Sequence, residues 1–394
     1  MAIYLDHAAT TPLRQEVLGA MLPYLTDAYG NASSTHAFGR RARAALDEAH
    51  ETIAKRIGAQ AREIVLTSGG TEALNLGLKG AAWAGKAHGH RIVTSAVEHH
   101  AVGHTLRHLE KFGFEIVELP VDRYGRVDPD DVETAITDRT ILVAVMLANN
   151  EVGTIQPIAE IGRQVHAHRN VLFAVDAVQA APYLEIDVDA LGADLLAISA
   201  HKFEGPKGVG ALYLRHGTHI LAQQQGGSQE RHRRGGTENV AGAVGMAAAF
   251  DLACRERPET VKRLRRLRER LGKAILAVEG TELTGHPKDR LPGHLSLIAR
   301  DTDGTAVTVS LDLNGVASSV GSACTSGSTD VSHVLSAMGY PEEEARGALR
   351  LTLGRMTTEA EIDEAATIIP PVIASMRIGA ATVAADPLGQ GIAV

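Results

Sequence analysis

The run TILVAVML, residues 140–147, is apolar from Ile141 onward, with no polar residue alternating into it. A strand with one wet face would alternate, so such a run is expected to be buried on both faces. Strand-like stretches recur along the first half of the chain: EIVLT at 63–67, RIVTS at 91–95, EIVEL at 115–119, VLFAVDA at 171–177, DLLAIS at 194–199 and VGALYL at 209–214. Helical patterns fill most of the gaps, for instance from Ala101 to Lys111. Strands alternating with helices predict βαβ units, and hence an α/β fold with a mostly parallel central sheet flanked by helices.

The character changes near residue 240. VAGAVGMAAAFDLACRER reads as a helix stopped by Pro258, and VKRLRRLRER at 261–270 as a second, amphipathic helix with a solvated basic face. Shorter strand candidates such as HLSLIAR and a Gly/Ser-rich run, SSVGSACTSGSTDVSH, come after it. A length of 394 residues allows two or three domains. The boundary is expected near 255–260, giving a large domain over 15–257 and a smaller α/β domain made of 1–14 and 258–394.

Charge and cysteine content narrow the partners. A net charge of −8 gives no electrostatic case for nucleic acid or an anionic membrane. No stretch reaches the roughly 18 uninterrupted apolar residues of a membrane span, and MAIYLDHAATTPLRQ has no basic segment followed by an apolar one. Two cysteines, Cys254 and Cys324, cannot build a disulfide framework and suit a reducing compartment. A cytoplasmic location is expected.

In parallel α/β sheets, ligands gather at the carboxyl ends of strands. After 63–67 comes Ser68-Gly69-Gly70-Thr71, opening a helix whose free N–H groups suit an anion. After 91–95 come Glu98, His99 and His100; after 140–147, Asn149, Asn150 and Glu151. Asp176 and Gln179 end the strand at 171–177, and Ser199, His201 and Lys202 end the one at 194–199. An anion cradle, a flat ring, a carboxylate, amides and a lysine match the needs of pyridoxal 5'-phosphate. Its phosphate takes a helix N-terminus, its pyridinium nitrogen a carboxylate, its aldehyde a lysine amine. His100, His104 and His108 recur at i, i+4, i+8 on one helix face, a spacing some zinc sites use. Without a carboxylate motif beside them, they read as a solvated face, and no metal is expected.

These motifs, in this order, resemble the cysteine desulfurases of the NifS/IscS type, in the class V aminotransferase-like group of fold-type I pyridoxal-phosphate enzymes. The resemblance runs from YLDHAATTP at Tyr4 to LTLGRMTTEAEID near Asp363, through TSGGTEALN, VEHHAV, NNEVGTIQPI, SAHKFEGPKGVGALY, GGSQERHRRGGTEN and SSVGSACTSGSTDVSHVLSAMG. It implies a large cofactor-binding domain and a smaller one carrying a catalytic cysteine loop. It implies that Lys202 is the Schiff-base lysine and proton carrier, that Asp176 partners the pyridine nitrogen and that His99 stacks on the ring. Gln179 and Asn150 would lie near the phenolic oxygen and substrate. Gly70, Thr71, Ser199 and His201 would form the phosphate cup, and Thr237 would reach it from the second subunit of a homodimer. Arg350 would clamp the carboxylate of L-cysteine. Cys324 would take the substrate's sulfur as a persulfide, release L-alanine, and pass sulfur to protein acceptors in iron–sulfur cluster assembly or thiolation. Cys254, among apolar neighbours of a helix, reads as structural. An aminotransferase, or a cysteine or selenocysteine lyase without persulfide transfer, is the alternative. The tail AADPLGQGIAV departs from the longer ending by which housekeeping IscS-type members engage their scaffold protein.

Overall fold

The computed structural model describes residues 2–321 and 331–377. Cys324 and the tail beyond 377 lie outside the described residues.

A seven-stranded sheet forms the body of the larger part. Across the sheet its strands run Ile64–Thr67, Gly210–Leu214, Leu195–Ser199, Leu172–Asp176, Thr140–Met146, Arg91–Ser95 and Glu115–Leu119. Gly210–Leu214 pairs antiparallel with both neighbours and the remaining ladders are parallel, so the sheet is mostly parallel. The run at 140–146 shows why alternation is missing. Leu142 and Ala144 join one apolar core with the helices Gly70–Gly85 and His100–Glu110. Val143 and Val145 join the opposite core with the helices Ala37–Arg56 and Ile158–Ala167. Successive side chains leave a strand on opposite faces, so a sheet covered on both sides demands apolar residues at every position.

The expectation of a helix ending at Pro258 is overturned. One helix runs from Val240 to Ile275, with Pro258 inside it. Proline lacks the N–H that would reach Cys254 O, a loss of about 3 kcal/mol in a helix interior. Burial at both ends outweighs it. Met246 and Phe250 sit in the core beneath the sheet, and Leu264, Leu267, Leu271 and Ile275 sit in a separate core. At roughly 1.5–3 kcal/mol per buried apolar side chain, these anchors hold the helix continuous. The helix therefore passes through the region where the sequence suggested a boundary.

The second core lies under a three-stranded antiparallel sheet, Ala348–Thr352, His294–Ala299 and Thr281–Leu283, packed by the helices Gly304–Leu313 and Glu359–Ser375. The first residues of the chain belong here too. Ile3–Tyr4 pairs with Val316–Ala317, Ile3 and Leu5 enter this core, and Asp6 bridges Thr352. The same segment then crosses to the large sheet. Thr11 N and Thr11 Oγ1 both donate to His201 O, at 3.0 and 2.8 Å. Residues 3–14 thus form a strap between the two cores.

Candidate active site

The carboxyl ends of the parallel strands open into a cavity of about 330 Å³. Gly70, Thr71, His99, Asn150, Asp176, Gln179, Ser199, His201, Lys202 and Arg350 line it, all singled out from the sequence. Thr237 does not. It is exposed, in a loop on the far side of Ser68.

Local sequence explains each placement. The helix Gly70–Gly85 starts at the cavity wall, and its N-cap Gly69 has φ +152°, ψ 179°, backbone that only glycine adopts at ease. A Cβ on Gly70 would stand 2.7 Å from Val178 Cγ2, so a side chain here would fill the approach to the helix end. His99 caps the next helix, its Nδ1 accepting from Ala101 N at 3.1 Å. That bond fixes the proton on Nε2. Burial, with Lys202 and neighbouring imidazoles behind it, pushes His99 down to about 4, so the ring is neutral. Burial, then Lys202 and Lys207, push His201 down to about 4 as well.

Asp176 is buried at the end of its strand, and Oδ1 accepts from Val178 N at 2.9 Å. Desolvation pushes it up to about 6, against the pull of that hydrogen bond and of Lys202. Lys202 ends a short turn and donates to the carbonyls of Ala8 at 2.5 Å and Ala9 at 2.9 Å. Gln179 Nε2 donates to the same Ala8 carbonyl at 2.9 Å. Arg350 reaches in from the smaller sheet. Its Nη1 donates to Asn150 O at 3.0 Å and its Nη2 to Asp6 Oδ1 at 2.9 Å.

Several residues escaped the sequence reading. Asp6, Ala8 and Ala9 stand in the quoted YLDHAATTP, but nothing local marks them as reaching Arg350 or Lys202. His333 lines the cavity, with Nε2 2.9 Å from Glu98 O and its ring 4.9 Å from His100. Glu98, named from the sequence, does not line the cavity but is buried behind it. Its Oε1 accepts from Ser95 Oγ at 2.5 Å and Met146 N at 2.9 Å, and Oε2 has no partner. Desolvation pushes Glu98 up to about 8, reinforced by Asp176. His100 and His104 stack at 4.9 Å, and among the described residues no His, Cys, Asp or Glu group is arranged to hold a metal ion.

The loop bearing Thr237 has a conformation its sequence hides. Glu230, Arg231 and His232 stand at φ +45°, +57° and +64°, left-handed backbone rare outside glycine. Glu230 Oε2 anchors the turn, accepting from Leu66 N at 3.0 Å and meeting His50 Nε2 at 3.0 Å. Three successive left-handed residues cost of order 1–3 kcal/mol each. The surrounding structure therefore holds this loop in place.

The donor set fits pyridoxal 5'-phosphate. The end of the helix Gly70–Gly85 offers N–H groups for a phosphate, the buried Asp176 carboxyl suits a protonated ring nitrogen, and His99 lines the same cavity.

Residues 3–365 match the family described as aminotransferase class-V. The chain is 48% identical over 376 residues to the cysteine desulfurase IscS of Dictyoglomus turgidum, covering 95% of each chain. It is 46% identical over 376 residues to the cysteine desulfurase IscS of Methanosarcina thermophila, covering 95% of this chain and 93% of the relative. A solved structure titled NifS-like protein superposes with a TM-score of 0.90 at 35% identity, covering 95% of this chain and all of the other.

Proposed function

The chain belongs to the aminotransferase class-V family, and from that premise we propose that it is a pyridoxal-phosphate-dependent cysteine desulfurase. The observation that carries the reading is the convergence of Lys202, Asp176, His99, the Gly70–Thr71 helix end and Arg350 on one cavity. Pyridoxal 5'-phosphate, when bound, supplies an aldehyde that combines with amines and a ring that accepts electron density from the substrate's α-carbon.

The chain's own residues do the rest. Gly70 and Thr71 N–H groups, with Ser199 and His201, would hold the phosphate. Asp176 would keep the ring nitrogen protonated, and His99 would face the ring as a neutral group whose Nε2–H can donate. Asn150 and Gln179 would lie near the ring and substrate. Lys202 would hold the cofactor's aldehyde and would carry the substrate's α-proton, with the Ala8 and Ala9 carbonyls as acceptors for its ammonium. Arg350 binds the substrate's carboxylate, for which its planar fork is suited.

Cys324, assigned from the sequence, takes the sulfur. The substrate's Cβ–S bond breaks, a Cys324 Sγ–S bond forms, and Cβ gains a proton. L-cysteine leaves as L-alanine, with no external oxidant. The sulfur then passes to a protein acceptor of the kind used in iron–sulfur assembly or thiolation, in the cytoplasm. We assign 15–257 to the cofactor domain and 1–14 with 258–394 to the domain carrying the cysteine.

The anchored loop that carries Thr237 away from its own cavity supports a homodimer in which this residue completes the partner's phosphate site. Heterodimers of a Lys202→Ala chain with a Thr237→Ala chain are expected to recover activity that either homodimer lacks. Fully active monomers in sedimentation would refute the shared site. The activity itself is tested by incubating the holoenzyme with L-cysteine and a thiol reductant. Equal amounts of alanine and sulfide are expected; pyruvate and ammonia in place of alanine, with sulfide still released, would mark a lyase.

A further inference from the structure

We propose that Asp6 is a positioning residue, which holds the Arg350 guanidinium in the one plane that receives an amino acid's carboxylate. The inference rests on the proposed function only in taking an α-amino acid as the ligand.

Arg350 is nearly sealed from solvent, with its side chain 3% exposed. A buried guanidinium needs a counter-charge. Among the described residues, the carboxylate bonded to it is Asp6, whose side chain is 19% exposed. The two ends of the guanidinium are tied to different parts of the molecule. Nη1 goes to the backbone carbonyl of Asn150, beyond the strand Thr140–Met146, and Nη2 to Asp6 on the strap. Nε is buried without a partner. Each amino end also keeps a second hydrogen. Pinning both ends fixes the plane while leaving N–H groups for an incoming carboxylate. A planar fork recognises a carboxylate through its orientation, so this fixing matters more than the charge alone.

Asp6 is itself held. Thr352 N donates to Leu5 O at 2.7 Å, His7 N to Thr352 O at 3.2 Å, and Ala8 N to Thr352 Oγ1 at 2.8 Å, clamping the strap on both sides of Asp6. Tyr4 Oη adds a bond to Asp6 O at 3.0 Å. Two residues further on, Ala8 O receives the Lys202 ammonium. One short extended segment therefore sets the position of the carboxylate-binding group and touches the amine-exchanging one. In an α-amino acid the corresponding two groups stand on one carbon.

The test compares holoenzyme carrying Asp6→Ala, Asp6→Asn or neither. Binding of L-alanine and of ethylamine, which differ by the carboxylate, is read from the cofactor's absorbance; KM and kcat are measured for L-cysteine. Asp6→Ala is expected to weaken L-alanine binding and raise KM about tenfold, with kcat within twofold and ethylamine binding unchanged. That pattern is a loss of uniform binding. Asp6→Asn keeps an acceptor oxygen in place and is expected to recover to within about threefold of wild type. The proposal is overturned if Asp6→Ala binds L-alanine like wild type, if ethylamine weakens equally, or if Asp6→Asn is no better than Asp6→Ala. A wild type that binds L-alanine normally but makes no alanine from cysteine would sink the desulfurase reading and leave this comparison intact.

Discussion

Glu98 should be a neutral acid in the folded, cofactor-free protein, and replacing it by glutamine should change how many protons the chain exchanges on unfolding. The carboxyl is 4% exposed, accepts two hydrogen bonds on Oε1, and has Asp176 as its charged neighbour. Desolvation pushes it from 4.5 up to about 8. With the folded value above the unfolded one, the folded state binds the extra proton. Stability from this group is full below 4.5 and is lost as pH rises through 8. pH 6.5 lies about two units above the unfolded value of 4.5, and each unit is about 1.4 kcal/mol, so roughly 3 kcal/mol has been lost there. Unfolding at that pH must release close to one proton from Glu98, since the folded carboxyl holds it and the unfolded one does not. Glu98→Gln keeps the Oε1 acceptor and cannot ionise. Both proteins, stripped of cofactor, would be unfolded in weakly buffered urea at pH 6.5 and the released protons titrated. Wild type is expected to release about one more than the variant. Equal release would mean that Glu98 is ionised beside Asp176, and the desolvation argument would fail.

Other expectations follow from the same geometry. Lys202→Ala should abolish turnover and the visible absorbance of the covalently held cofactor while the chain still folds, as checked by spectrum and melting curve. Cys324→Ala should keep the absorbance and its response to L-cysteine but form no persulfide, with alanine production lost; alanine at the wild-type rate would refute the role given to this thiol. Cys254→Ala should match wild-type activity at a cost of about 1 kcal/mol, because Cys254 is a partly buried packing residue whose thiol burial pushes up. Gly153→Ala should destabilise by about 3 kcal/mol in chemical denaturation, since its φ is +77° and a Cβ would lie 2.6 Å from His294 Cβ.

The strands of the large sheet were legible because burial on both faces leaves continuous apolar runs, as at 140–146. That Asp176, Lys202 and His99 share one cavity was legible because residues at the end of such a run, or a few positions past it, gather at one edge of the sheet. The helix across Pro258 was not, because the sequence carries the local cost of a proline and not the packing of Phe250 and Leu264 on either side. Glu98 was visible as a residue but not as a buried acid, since its burial depends on Met146 arriving from another strand. The left-handed turn at Glu230–His232 contains no glycine, so no turn signal marks it. The Asp6–Arg350 pair spans 344 positions, beyond the reach of any pattern in a single sequence.

That separation bears on how the molecule is made. The strap leaves the ribosome long before Val316, Thr352 and Arg350, which receive it. At about 5–20 residues per second, Asp6 waits roughly 20–70 s for Arg350 to be synthesised. During that time the large sheet, whose strands lie between 64 and 214, can form without it. The carboxylate site therefore assembles after the large sheet can form, and chains released before Arg350 would carry the lysine pocket without a place for the amino acid's acid group.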